Sequence, residues 1–363
     1  MFNLRLLLSK MSGLKTIALC LVFLNLLSLF SIYSSLHQCG ELVNSTILYK
    51  QLIWIFASWI LLILFASINY RIYFDAGYVI YVLNLLLLLS VYFFGKTAMG
   101  AQRWISIFGI TFQPSEISKI AIIIILARFF SQNERKGLFR NFILPLGLVT
   151  LNALVIFKQP DLGTALIIIF IFFGLGFFSR IKKRYFIILI ISGLILSPFA
   201  LKKLEDYQLR RLTVFINPDI DPLGSGYTII QSKIAIGSGG FVGQGFLAGT
   251  QNQFNFLPER HTDFIFTVIA EEWGFLGILF LLLIYWLILK KILQQAKGLR
   301  DPFAYYLCLG ISLIFFLHIF INVGMTLGIL PVVGLPLIFL SYGGTSLFIN
   351  FILLGIFFNI ARR

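Results

Sequence analysis

Four ionisable groups crowd into residues 259–263, directly before an apolar run: Glu259, Arg260, His261 and Asp263. A carboxylate at such a mouth, half out of water, has the chemistry of a general base that takes a proton from a hydroxyl. Thr262 is placed to cap the helix that follows, which would put Asp263 in its first turn, where amide N–H groups and the helix dipole favour the charged carboxylate. Position alone therefore leaves Asp263 two roles, a base or a helix cap.

Other candidates stand beside apolar runs. Glu116 and Lys119 lie three residues apart behind Pro114, so they share a helix face and can pair. A charged group inside a membrane span costs about 2.5–3.5 kcal/mol on insertion scales, so the two should face the bundle interior or a wet cavity. Arg103 offers a planar guanidinium suited to phosphate oxygens and Trp104 an interfacial ring; the alternative is that the two are only interface anchors. Asp161, between the breakers Pro160 and Gly163, either binds a cation or makes a turn. Six glycines from Gly237 to Gly249 permit close approach of backbone amides to an anionic ligand, or simply flexible turns. The segment from Pro331 through Gly344 is a broken entrance to a span, and such backbone survives at membrane depth only against protein or water. Glu271 and Glu272, farther along the run that follows Asp263, must meet polar partners there.

The elements that position these groups are spans. Of 363 residues, 59% are hydrophobic and only 12% charged. Apolar runs approaching the roughly 20 residues needed to cross a hydrocarbon core recur at 15–36, 48–68, 76–95, 115–130, 141–158, 162–179, 185–201, 263–289, 303–328 and 338–360. We expect a bundle of ten transmembrane helices, all-α, in one integral-membrane domain. The net charge of +15 does not indicate nucleic acid, because most of the 29 basic residues fall in short links on one side, among them Arg180, Lys182, Lys183 and Arg184. The positive-inside rule then places both termini in the cytoplasm. The first run has no cleavage site after it and is expected to stay. Cys20 and Cys308 lie within runs and only Cys39 outside them, so no disulfide framework is expected. Residues 202–262 form a loop far longer than ordinary connections and face outward, as do 96–114 and 158–161. No Walker, Rossmann or zinc spacing and no internal repeat is present, so neither a nucleotide nor an organic cofactor is indicated.

Read in order, GAQRW at 100–104, QPSE at 113–116 with Lys119, QPDLGTA at 159–165, GYTIIQSKIAIGSGG at 226–240, LPERHTDFIF at 257–266 and SYGG at 341–344 resemble the signatures of the SEDS family (shape, elongation, division and sporulation), its RodA branch more than its FtsW branch. The set covers roughly residues 99–360. Gln244, Phe246 and Ile338 depart from the usual pattern, which has Lys, Trp and Pro at those places.

The resemblance implies a peptidoglycan glycosyltransferase of the bacterial inner membrane that polymerises lipid II on the outer face during elongation. Asp263 matches the family's essential carboxylate, and Arg103, Trp104, Glu116, Lys119, Asp161, Glu259, Arg260, His261 and Ser341 match motif positions around the cavity. It further implies a class B penicillin-binding protein and other membrane proteins of the elongation complex as partners. Charge on the leaving pyrophosphate calls for basic residues or a divalent cation, Mg or Mn, for which Asp263, Glu116 and Asp161 are the candidate ligands. The rival reading is a flippase or transporter of a lipid-linked precursor, since many spans and broken helices also mark transporters. Against it stands the concentration of polar groups on one side, with no inverted repeat.

Overall fold

The computed structural model describes residues 4–37, 45–98, 101–107, 110–132, 137–201, 206–224 and 226–363. Cys39, Gly100, Arg135, Lys136 and the first residues of the long loop lie outside them. Its helices are α1 (Leu4–Leu36), α2 (Ser45–Ser67), α3 (Arg71–Asp75), α4 (Gly77–Phe94), α5 (Pro114–Ser131), α6 (Leu144–Phe157), α7 (Leu162–Phe178), α8 (Lys183–Leu201), α9 (Asp206–Ile216), α10 (Tyr227–Ser238), α11 (Thr250–Gln253), α12 (Ile265–Lys297), α13 (Pro302–Thr326) and α14 (Gly344–Arg362). A helix lies across each of the ten apolar ranges, as it must where hydrocarbon offers the backbone no hydrogen bonds. Seven of them, α1, α2, α4, α6 (with its entry turn), α12, α13 and α14, are long and apolar enough to cross a membrane among the described residues. The apolar α7 is shorter.

Burial sorts the bundle. The apolar stretch of α13 is 78% buried and that of α14 72%, against 17% for α2, so α13 and α14 form the interior and α2 the rim. Large side chains turned outward, such as Phe56 and Phe93, are what a lipid-facing surface requires. Local signals set the ends: Pro114 opens α5, Asp161 caps α7 by accepting from the Thr164 N–H at 3.2 Å, and Asp301 caps α13 through the Phe303 N–H at 3.0 Å.

Three features depart from the expected plan. Between α4 and α5 lies a small antiparallel sheet in the order β1 (Lys96–Ala98), β2 (Ala101–Ile107), β3 (Ile110–Phe112), so the fold is helical with a sheet at one end of the bundle. The long loop is built from α9, α10 and α11, with α10 packed on α12. And α14 starts at Gly344, six residues later than the apolar run, because the preceding residues are irregular.

The glycine-rich stretch has a structural job. At Gly274 (φ 62°, ψ −159°) α12 breaks, in a conformation an L side chain resists. The N–H groups of Phe275 and Leu276, which would have bonded back to Glu271 and Glu272, donate instead to the carbonyls of Gly240 and Phe241 at 3.0 and 3.2 Å. In exchange, Gln244 and Gly245 donate to the carbonyls of Glu271 and Glu272, both at 3.0 Å. The exchange thus keeps these four N–H groups and four carbonyls paired across the break. A Cβ at Gly243 would stand 2.2 Å from the Glu272 carbonyl, so these glycines approach protein backbone.

Candidate active site

The irregular segments converge at the loop end of the bundle. The guanidinium of Arg103, on β2, donates to the carbonyls of Gln159 (3.1 Å) and Pro160, fastening the sheet to the α6–α7 turn. The Asp161 carboxylate accepts from Gln113 Nε2 at 2.8 Å and Ser115 Oγ at 2.7 Å besides capping α7, so it ties the start of α5 to that turn. Trp104 is partly exposed on the same strand.

Residues 254–264 bring in the charged cluster. Arg260 is buried and donates to the Ser35 carbonyl and to Asn255 Oδ1, which anchors the segment on α1. The His261 carbonyl accepts from the Tyr342 N–H at 2.9 Å, and its ring packs on Tyr342; burial lowers the imidazole's pKa. Glu259 is exposed, holds a left-handed φ of 54°, and accepts from Thr262 Oγ1 at 3.0 Å. Ser341 is buried and accepts from the Leu337 N–H at 2.8 Å.

Asp263 differs from all of these. Phe264, not Thr262, is the N-cap of α12, so Asp263 precedes the first turn and caps nothing. Its carboxylate makes no hydrogen bond among the described residues and is partly accessible. Gly334, at φ 70°, stands against it: a Cβ there would lie 3.4 Å from Asp263 Oδ2, so the Gly334 backbone walls one side of the carboxylate. Burial first, and the charge of Glu259 second, raise its pKa from 3.8 to about 6; Arg211 and Arg103 pull the other way. The result is a carboxyl ionised at neutral pH, yet basic enough to accept a proton.

Glu116 and Lys119 lie inside the bundle, paired at 2.6 Å, with Lys119 Nζ also 2.8 Å from His318 Nε2. Glu271 accepts from the Gln251 N–H at 2.9 Å and Asn252 Nδ2 at 3.1 Å, and Glu272 from Ser34 Oγ. The three candidate cation ligands are not grouped: Asp161 accepts from three donors, Glu116 Oε1 from Lys119 while its Oε2 has no partner, and among the described residues no three His, Cys, Asp or Glu side chains are placed to hold a metal together.

Arg211, His318, Asn322 and Gly334 escape sequence reading. Arg211 sits on α9, reaches the Val332 carbonyl at 3.3 Å, and acts electrostatically on Asp263. Its signal was slight, one of two adjacent arginines in a long loop. His318 had a better one, an ionisable group inside an apolar run.

The protein is thus a multi-pass helical membrane protein with a buried Glu116–Lys119 ion pair inside the bundle and a partly accessible Asp263 carboxylate at its loop end. The chain belongs to the FTSW_RODA_SPOVE family, described as cell cycle proteins, which matches residues 13–363. It is 41% identical over 304 residues to peptidoglycan glycosyltransferase MrdB of Escherichia coli (strain K12), covering 83% of this chain and 82% of that one. It is 30% identical to peptidoglycan glycosyltransferase RodA of Treponema pallidum (strain Nichols), over 95% and 96% of the two chains. Among solved structures, a chain from a peptidoglycan synthase complex coordinating polymerization and crosslinking superposes with a TM-score of 0.79 at 30% identity, over 94% of this chain and 96% of that one. Rod shape determining protein RodA of Thermus thermophilus shares the fold, with a TM-score of 0.72 at 24% identity over 95% of both chains.

Proposed function

We infer that this chain is a peptidoglycan glycosyltransferase that polymerises lipid II, with Asp263 as general base. The observation that carries the reading is the carboxylate itself, unbonded, partly accessible, raised to about 6 and flanked by the charges of Arg211 and Arg103. The 4-hydroxyl of the acceptor N-acetylglucosamine attacks the anomeric carbon of the donor N-acetylmuramic acid, and its proton passes to Asp263. The bond from that carbon to the pyrophosphate oxygen breaks, and undecaprenyl pyrophosphate leaves. An α-linked donor giving a β-1,4 product needs one inversion and no covalent intermediate. We assign the positive charge that the departing pyrophosphate needs to Arg211 and Arg103, whose charges act on Asp263.

The site is read as extracytoplasmic, with both termini cytoplasmic and ten crossings, from the distribution of Lys and Arg. The family and the synthase-complex structure support a penicillin-binding protein as partner; we place it in class B, within the elongation complex.

The test is purified protein in detergent given lipid II. Growth of glycan chains supports polymerisation, since no bilayer is present to cross. Translocation of lipid II in vesicles with no polymer formed in detergent replaces this reading with a flippase.

A further inference from the structure

His318 and Asn322 lie four residues apart on α13, on one face, and both are fully buried. Each donates to the irregular segment before α14: His318 Nδ1 to the Pro336 carbonyl at 3.2 Å, Asn322 Nδ2 to the Leu335 carbonyl at 2.7 Å. Asn322 Nδ2 donates as well to the carbonyl of Asp263, at 2.8 Å. One face of one helix therefore sets the spacing between the segment that carries Asp263 and the segment that carries Gly334, whose backbone walls the carboxylate.

The tautomer of His318 follows from its neighbours. A carbonyl only accepts, so the ring proton belongs on Nδ1, and the Nε2 lone pair faces Lys119 Nζ at 2.8 Å. Lys119, held by Glu116 Oε1 at 2.6 Å, donates to that lone pair. The opposite tautomer would set an N–H against an ammonium and leave the Pro336 carbonyl unmet. The buried ion pair thus selects the form of His318 that can hold Pro336.

We propose that His318 is a positioning residue: oriented by Lys119, it tethers Pro336 and keeps the 331–341 segment in register with Asp263 for the transfer step. It does not touch the reacting atoms. The proposal rests on the reading of Asp263 as the base. Misplacing a wall or base by about 1 Å costs on the order of 10²-fold in rate, and that cost falls on turnover more than on binding.

The experiment uses the purified full chain with lipid II, comparing His318→Ala and His318→Asn with wild type. Hydrogen exchange across residues 331–341 is measured on the same samples. We expect His318→Ala to lower kcat by about 10²-fold with little change in KM and to speed exchange in the segment. The Asn amide nitrogen sits where Nδ1 does and needs no tautomer, so His318→Asn should restore most of kcat and the protection. Folded His318→Ala protein with wild-type kcat overturns the proposal, as does a loss confined to KM, or failure of Asn to rescue while its protection is normal. Asp263→Asn is run beside them: if it polymerises normally while His318→Ala still slows turnover and loosens the segment, the tether stands and the base assignment falls.

Discussion

Replacing Asp263 by Asn removes one ionisable group and almost nothing else. The side chain keeps its size, and because Phe264 is the N-cap of α12, no helix cap is lost. The structure then sets two magnitudes. Raising the folded-state pKa from 3.8 to about 6 costs the ionised form at most on the order of 3 kcal/mol relative to the unfolded chain, less for the part that solvent screens. The sign is unambiguous: the folded pKa lies above the unfolded one, so the penalty is absent below about pH 4, grows between pH 4 and 6, and is complete above. Asp263→Asn should therefore melt no lower than wild type at pH 7.5, and higher if the full penalty is relieved, with the difference vanishing near pH 4. A general base contributes about 10²–10⁴-fold in rate, so the same variant should lose lipid II polymerisation by at least two orders of magnitude. Wild-type rate should fall on the acid side with a midpoint near pH 6. Polymerisation by purified protein across pH 5–8, with melting followed in parallel, reads both quantities. A well-folded Asn variant polymerising within about tenfold of wild type refutes the assignment, and so does a wild-type rate that is flat through pH 5–7.

Because Glu259 raises the Asp263 pKa and Arg211 lowers it, Glu259→Gln should move the acid limb of the rate profile to lower pH and Arg211→Gln to higher pH; shifts in the same direction would contradict the charge arrangement. Removing one member of the Glu116 and Lys119 pair leaves a buried unpaired charge, at a cost of about 3–5 kcal/mol, so Glu116→Gln and Lys119→Met should each reduce folded yield more than the double variant does. Additive losses would mean that the two act separately. Ser238, exposed at the end of α10, should on replacement by Cys react with an impermeant thiol reagent in intact cells; labelling only after the membrane is breached would reverse the topology.

Much of the frame was legible because the hydrocarbon leaves so few choices. Apolar runs become helices and Pro114 marks a start, whereas the caps at Asp161 and Asp301 emerged only in the fold. Charged groups before α12 pointed to a site. Periodicity did not reveal that Arg260 fastens to the Ser35 carbonyl, 225 residues away, or that Ser341 folds back on the Leu337 N–H within an irregular segment. The sheet at 96–112 was missed because its two outer strands have three residues each and its pairings are local, a pattern that composition reads as loop.

The least legible part was the irregular backbone before α14, and its accounting explains why. Buried carbonyls that a helix would have satisfied internally need donors from elsewhere. Ser28 of α1 meets Leu340 at 2.6 Å, Tyr285 of α12 meets Ile338 at 2.6 Å, and His318 and Asn322 of α13 meet Pro336 and Leu335. Four donors from three helices, separated by about 300 residues of chain, are spent on one short segment. In the sequence each looks like an isolated polar residue in an apolar run, with nothing to connect them. Their common purpose follows from cost: a polar side chain in a span persists when a backbone group depends on it, and here that backbone lies against the Asp263 carboxylate. The segment forgoes helical hydrogen bonds beside Asp263, and the four donors are what allow the membrane interior to tolerate it.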